Sequence, residues 1–219
     1  MNFLGIDTST QNLSISYMRK GEIVFEFSRK LKYNASLILP YLEKFIKRNF
    51  FSLKEIDTLV VGSGPGSFTG LRISFSIIKA LSIVLNKPVI KLGSFFSCAY
   101  PFRKKYERIA VINDARRNLI YAVSFRVKKE SLIKKEKEKL TILEDFINKK
   151  KDYFFVSGDE MLCKKLSSFP FLKFYPKPVY PKAKYLLILA KEKWLKNKFT
   201  SLKKLEPLYI YPKTCQIKT

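Results

Sequence analysis

Gly62-Ser63-Gly64-Pro65-Gly66-Ser67-Phe68-Thr69-Gly70-Leu71-Arg72 joins two segments of different periodicity. Before it, Thr58-Leu59-Val60-Val61 is a continuous apolar run of the kind a buried strand needs. After it, the stretch from about Thr69 to Leu85 reads as a long helix that Asn86-Lys87-Pro88 stops. The glycines let backbone approach closely and adopt positive φ. The free amides at a helix N-terminus can hold an anion. The Gly-Lys-Ser/Thr ending of a P-loop is missing. The other reading is a tight strand-to-helix turn with Ser67 or Thr69 as N-cap. At this level the two readings weigh equally.

Working outward from this turn, Phe3 to Ile6 is an apolar run ending at Asp7. Leu13 to Met18 alternates as a half-buried strand should, and Ile23 to Phe27 follows a turn at Gly21. These three predict an antiparallel meander. Ile38, Leu39, Leu42, Phe45 and Ile46 recur at helical spacing, so Ser36 to Phe50 is expected to be an amphipathic helix with Pro40 near its start. Ser52 and Glu55 have capping-box spacing. Val89-Ile90 is the next strand.

A second half opens near Tyr100-Pro101-Phe102. Its strands are expected at Arg108 to Ile112, ending in Asn113-Asp114, at Ile120 to Val127 and at Tyr153 to Val156. Helices are expected from Leu143, over Glu160 to Leu166 and over Lys184 to Trp194. The charge run Lys128 to Lys139 is a solvated loop or strand edge. Pro170, Pro176, Pro178 and Pro181 mark an extended connector, and Leu205 to Tyr211 is irregular. This division gives lobes at 1–102 and 103–219, with the last helix free to pack back on the first lobe.

Bulk properties narrow the chemistry. The 219 residues are 47% hydrophobic, enough for one large core or two small ones. No run of 18 uncharged apolar residues stands out, and the N-terminus lacks signal-peptide features, so a cytoplasmic protein without a membrane partner is expected. Cys98, Cys163 and Cys215 form no C-x-x-C pair and read as reduced thiols. There is no histidine, which removes Ser-His and Cys-His pairs and most transition-metal sites. A carboxylate-bound magnesium ion remains open. The net charge of +25 attracts polyanions, tRNA or an acidic protein among them. The lysines are spread along the chain, with no KH or RRM signature.

Two further constellations stand out. Asp7-Thr8-Ser9 and Asp114-Ala115-Arg116-Arg117 each follow a strand. Their carboxylates are suited to hold magnesium through water, or simply to cap turn amides. The helix after the glycine turn carries Leu71, Ile73, Phe75, Ile77, Ile78, Leu81, Ile83, Val84 and Leu85, with little polar face. Such a helix is covered on more than one side, by a thick core or by another chain.

Taken together, Ile6-Asp7-Thr8-Ser9-Thr10, Leu39-Pro40, Gly64 to Ile73, Asp114 to Arg117 with Tyr121, and Glu206-Pro207-Leu208-Tyr209 resemble the TsaB (YeaZ) family of the actin/Hsp70/sugar-kinase superfamily. The resemblance covers most of the chain and is weak at its C-terminal end. It implies an α/β fold of two actin-like (ribonuclease-H-like) lobes, each a mixed sheet flanked by helices. It implies a non-catalytic scaffold, without cofactor or metal, for the catalytic paralogue TsaD. With the ATPase TsaE and with TsaC, such proteins threonylcarbamoylate the tRNA adenosine next to the anticodon. tRNA is then met through the complex, and the free chain is expected to self-associate through the same surface. The interface would fall on Ile38, Leu39, Leu42, Phe45, Ile46, Leu71, Phe75, Ile77, Ile78 and Leu81. A degenerate phosphate site would comprise Asp7, Thr8, Ser9, Gly64, Gly66, Ser67 and Asp114. Departures from the family pattern are Asn34-Ala35 before the first helix, Ile78 in the second, Asn118 for a usual glycine, and Tyr211. The rival reading is an actin-like ATPase or phosphotransferase using Asp7 and Asp114. The resemblance asks of it a second phosphate loop and an adenosine-binding glycine pair, where only Gly158 is available.

Overall fold

The computed structural model describes residues 1–31 and 35–210. Asn34, Tyr211 and Cys215 therefore lie outside the described residues. The chain divides into two compact units, Met1–Ser97 with Pro181–Leu208, and Cys98–Tyr180 with the C-terminal residues from Tyr209. Sequence punctuation suggested one crossing near residue 102. The chain makes its crossing a few residues earlier and returns to the first unit at Pro181.

The first unit opens with the expected meander, β1 (Phe3–Asp7), β2 (Asn12–Arg19) and β3 (Glu22–Lys30). A short 3-10 turn leads into α1 (Ile38–Arg48). A second one, Leu53–Glu55, is capped by Ser52, whose hydroxyl accepts the Lys54 amide. Then come β4 (Thr58–Gly62), α2 (Phe68–Leu85), β5 (Val89–Leu92) and α3 (Ser94–Ala99). The sheet order is β3-β2-β1-β4-β5. β1, β4 and β5 run parallel, so their carboxyl ends share one edge of the sheet. α2 ends at Asn86 in the left-handed region, φ 50°, as an αL cap requires.

The second unit repeats the plan. β6 (Arg108–Asp114), β7 (Ile120–Lys128), β8 (Ser131–Lys134), β9 (Lys139–Thr141), α4 (Leu143–Lys149), β10 (Phe154–Ser157), α5 (Glu160–Leu166) and β11 (Lys173–Phe174) follow in turn. The order is β11-β10-β6-β7-β8, with β9 pairing β7. β6, β10 and β11 are parallel. Phe146, Ile147, Phe155 and Leu166 fill its core. Two mixed sheets flanked by helices are the α/β architecture the resemblance implies. The charge run 128–139 contains β8, because its Leu132 and Ile133 register against β7.

α6 (Ala183–Leu195) returns to the first unit and changes the status of β2. A half-buried strand was expected, yet β2 is buried through Met18. Leu13, Ile15 and Tyr17 pack with α1 and α2 on one face. On the other, Met18 packs with Leu186, Leu187 and Ala190 of α6. Ser14 on this face accepts the Ala183 amide at 2.9 Å and so caps α6. Gly5 makes room for α6, since a Cβ there would stand 2.7 Å from Leu187.

After α6 the chain runs back along the sheet edge. The Thr200 amide donates to Val89, the Leu208 amide donates to Ser63, and Leu205 sits fully buried in the core. Replacing a buried leucine by alanine costs about 2–5 kcal/mol. Leu205→Ala is therefore expected to lower the urea midpoint without changing the slope of the transition, a test of whether the tail is part of the cooperative unit.

Candidate functional site

The carboxyl ends of β1 and β4 and the turn into α2 hold the residues singled out by sequence. Asp7 is fully buried. Its Oδ1 accepts the Ser9 amide at 2.9 Å and the Ser9 hydroxyl at 2.6 Å. Its Oδ2 lacks a hydrogen-bond partner of good geometry, although the Ser94 hydroxyl is close enough to favour the charged form. Burial pushes the Asp7 carboxyl above its ordinary pKa, against the hydrogen bonds from Ser9 and Ser94 that lower it. The Gly62 backbone closes over it, for a Cβ on Gly62 would overlap Asp7 Oδ2.

The glycines of the turn serve the same closure. Gly64 is at φ +87°. A Cβ on Gly66 would overlap the Ser9 carbonyl oxygen, and one on Gly70 would lie 2.4 Å from that of Thr8. The Ser67 amide donates to the Ser9 carbonyl at 2.7 Å. The Thr8 hydroxyl donates to the Gly70 carbonyl at 2.8 Å. Ser67 caps α2 by accepting the Gly70 amide at 3.2 Å. Thr8, Ser9 and Gly64 are buried against protein backbone, while Ser67, Phe68 and Thr69 at the start of α2 are exposed.

Asp114 lies in the other unit, exposed at the end of β6, and its Oδ1 accepts the Arg116 amide at 3.2 Å. Arg116, Arg117 and Asn118 follow at φ 64°, 53° and 60°, so Asn118 takes the left-handed conformation that a glycine would adopt freely. Among the described residues, no group of three or more Asp, Glu or Cys is placed to hold a metal ion.

The two helices divide the ten expected interface residues. Ile38, Leu42 and Phe45 of α1 and Leu71, Phe75 and Ile78 of α2 are buried in the core of the unit itself. These positions are turned inward to the unit's own core. Ile46, Ile77 and Leu81 are half-buried, and Leu39 is 56% exposed. The outer side of α1 is mostly charged, with Lys47 and Glu43 paired at 2.6 Å and Lys44 and Arg48 alongside.

α2 differs. Ser76, Ala80, Ile83 and Val84 are exposed on its outer side with Arg72 nearer its start, and Ile73 and Ile77 border them half-buried against the core. Val84 is 80% and Ile83 66% exposed. Sequence singled out Ile73, Ile83 and Val84 only as part of an all-round apolar helix. Knowing which positions face the sheet separates the outer stripe. By length and composition α2 would pass for a membrane span, but its inner side is built into the core, as in a core helix.

Against known proteins, a family model described as TsaD, tRNA N6-adenosine threonylcarbamoyltransferase, matches residues 30–216. The tRNA threonylcarbamoyladenosine biosynthesis protein TsaB of Buchnera aphidicola subsp. Schizaphis graminum is 30% identical over 197 residues, 84% of this chain and 90% of the relative. TsaB of Bacillus subtilis is 29% identical over 171 residues, 76% of this chain and 75% of the relative. The structure of YeaZ from Pseudomonas aeruginosa superposes with a TM-score of 0.81 at 21% identity, covering 95% of this chain and all of that one.

The sealed carboxyl makes a pH-dependent prediction. Because the folded pKa of Asp7 is raised, folding loses stability as pH rises above its unfolded value of 3.8. Asp7→Asn keeps the shape and removes the charge. It is expected to raise Tm at neutral pH, with the gain shrinking as pH approaches 4. Each kcal/mol corresponds to about 2–4 °C in a chain of this size. A Tm unchanged or lowered at pH 7 would show the carboxylate to be satisfied.

Proposed function

Because the chain belongs to the TsaB (YeaZ) family of tRNA threonylcarbamoyladenosine biosynthesis proteins, we propose that it is a non-catalytic scaffold subunit that pairs through α2 with a TsaD-type catalytic paralogue. The observation that carries this reading is the exposed patch Ala80, Ile83 and Val84 on α2, bordered by the half-buried Ile73 and Ile77. An apolar ridge of this kind on a globular unit is stabilised by being covered. The small residues Ser76 and Ala80 within it allow a second helix to approach closely. The closed Asp7 pocket supports the non-catalytic half of the proposal, since the carboxylate an actin-like phosphotransferase would offer to magnesium is packed under Gly62.

The paralogue supplies the catalytic centre in this scheme, the ATPase TsaE and TsaC complete the pathway in the cytoplasm, and tRNA is the substrate of the assembly. In the absence of the paralogue, two copies cover each other's stripe in a two-fold arrangement.

Size-exclusion chromatography of the chain with its genome-matched TsaD is expected to give co-elution at micromolar concentration. Ala80→Glu or Val84→Glu is expected to abolish it with the circular-dichroism spectrum unchanged. The free chain is expected to run as a dimer that the same variants convert to monomer. Separate elution of the unmodified proteins would overturn the pairing.

Calorimetric titration with magnesium and ATP tests the rest. No saturable heat is expected from the chain alone, and micromolar binding that Asp7→Asn removes would restore the phosphotransferase reading.

A further inference from the structure

The amino ends of the parallel strands β6, β10 and β11 lie at the opposite end of the second sheet from Asp114 and Ser157. Three segments meet there: 102–108 ahead of β6, 149–153 ahead of β10, and 171–175 around β11. Phe102 packs on Phe154 and Tyr175 with ring centroids 5.2 and 5.1 Å apart. Tyr106 stacks on Phe154 at 3.7 Å. Lys151 Nζ lies 5.6 Å from the centroid of Phe171. Phe154 registers against Lys173.

These segments contain eight Lys and Arg against two Asp and Glu. Part of the charge is internally matched: Arg108 pairs with Asp152, Arg103 and Lys104 share Glu130, and Lys150 reaches Glu136. Lys105, Lys149, Lys151 and Lys173 are exposed around the same end. So are two aromatic rings, Phe171 at 52% and Tyr175 at 37%.

We propose that this end of the second unit is a direct RNA-binding face, where lysines meet phosphates and Phe171 stacks on an unpaired base. Exposed rings among lysines distinguish RNA from an acidic protein as the occupant. Carboxylates need only the charge, whereas every base offers a π-face to a ring. Neutralising phosphates also releases counterions, so the binding is salt-dependent. The face shares no residue with α2, and the inference stands apart from the pairing proposed above.

The test is fluorescence anisotropy of the full chain with an unmodified tRNA transcript at several salt concentrations. Lys151→Ser with Lys173→Ser is expected to weaken binding and to lower the log–log salt slope by about 0.9 for each phosphate no longer neutralised. Phe171→Ala is expected to weaken binding on the order of 5- to 100-fold with the slope unchanged. Lys44→Ser with Lys54→Ser, an equal charge loss on the first unit, is expected to leave affinity within about two-fold, as for a change away from the bound RNA.

No binding by the unmodified chain would overturn the proposal. So would an equal loss in the Lys44/Lys54 control, or displacement of the transcript by polyglutamate as readily as by unlabelled tRNA. Retained co-elution of the three variants with the paralogue keeps this result separate from the subunit reading.

Discussion

The first unit is organised around a close approach of backbone to backbone. The carbonyl oxygens of Thr8 and Ser9 occupy the space that side chains at Gly70 and Gly66 would need. That approach fixes the start of α2 relative to β1, with Ser67 as cap and the Ser67 amide bonded to Ser9. It also closes the cavity in which Asp7 sits. In an open α/β sheet, the carboxyl ends of the parallel strands are where ligands commonly bind. Here the turn from Gly64 to Gly70 packs on that end of the sheet, with Asp7 and the Ser9 hydroxyl beneath it.

From the closed turn follows the two-sided character of α2. Its start is fixed, so its phase is fixed: Leu71, Phe75 and Ile78 are committed to the core, and Ala80, Ile83 and Val84 to the outside, with Ile73 and Ile77 half-buried between them. A rotation of 100° per residue leaves no way to bury both stripes within one sheet-and-helix layer. Hydrophobic burial thus completes the unit and at the same time leaves an apolar ridge over. α1 lacks this ambiguity, because its outer face is charged.

The electrostatics separate along similar lines. Much of the +25 charge is solvated and diffuse, and single exposed ion pairs such as Lys47 with Glu43 add little to stability. The amino end of the β6-β10-β11 ladder stands apart, because strand register gathers lysines from three distant segments around a group of stacked rings. Charge and aromatic surface there are products of the same packing.

Much of this was legible in the residues. Alternation and helical spacing placed the meander, α1, α2 and the strands β6, β7 and β10 of the second unit, because each signal lies within a few residues of chain. Asn86 and Ser67 marked the ends of α2 for local reasons of backbone conformation and amide capping. The GPGSFTGLR string carried the family. Tertiary structure alone decided three things. It buried the second face of β2 under α6, whose cap Ser14 is separated from Ala183 by most of the chain. It packed the glycine turn against the backbone of Thr8 and Ser9, because that contact rests on which atoms face the glycines. It moved the exposed stripe of α2 away from Leu71, Phe75 and Ile78, because periodicity shows that a helix is apolar, but only packing against the sheet says which side is already covered.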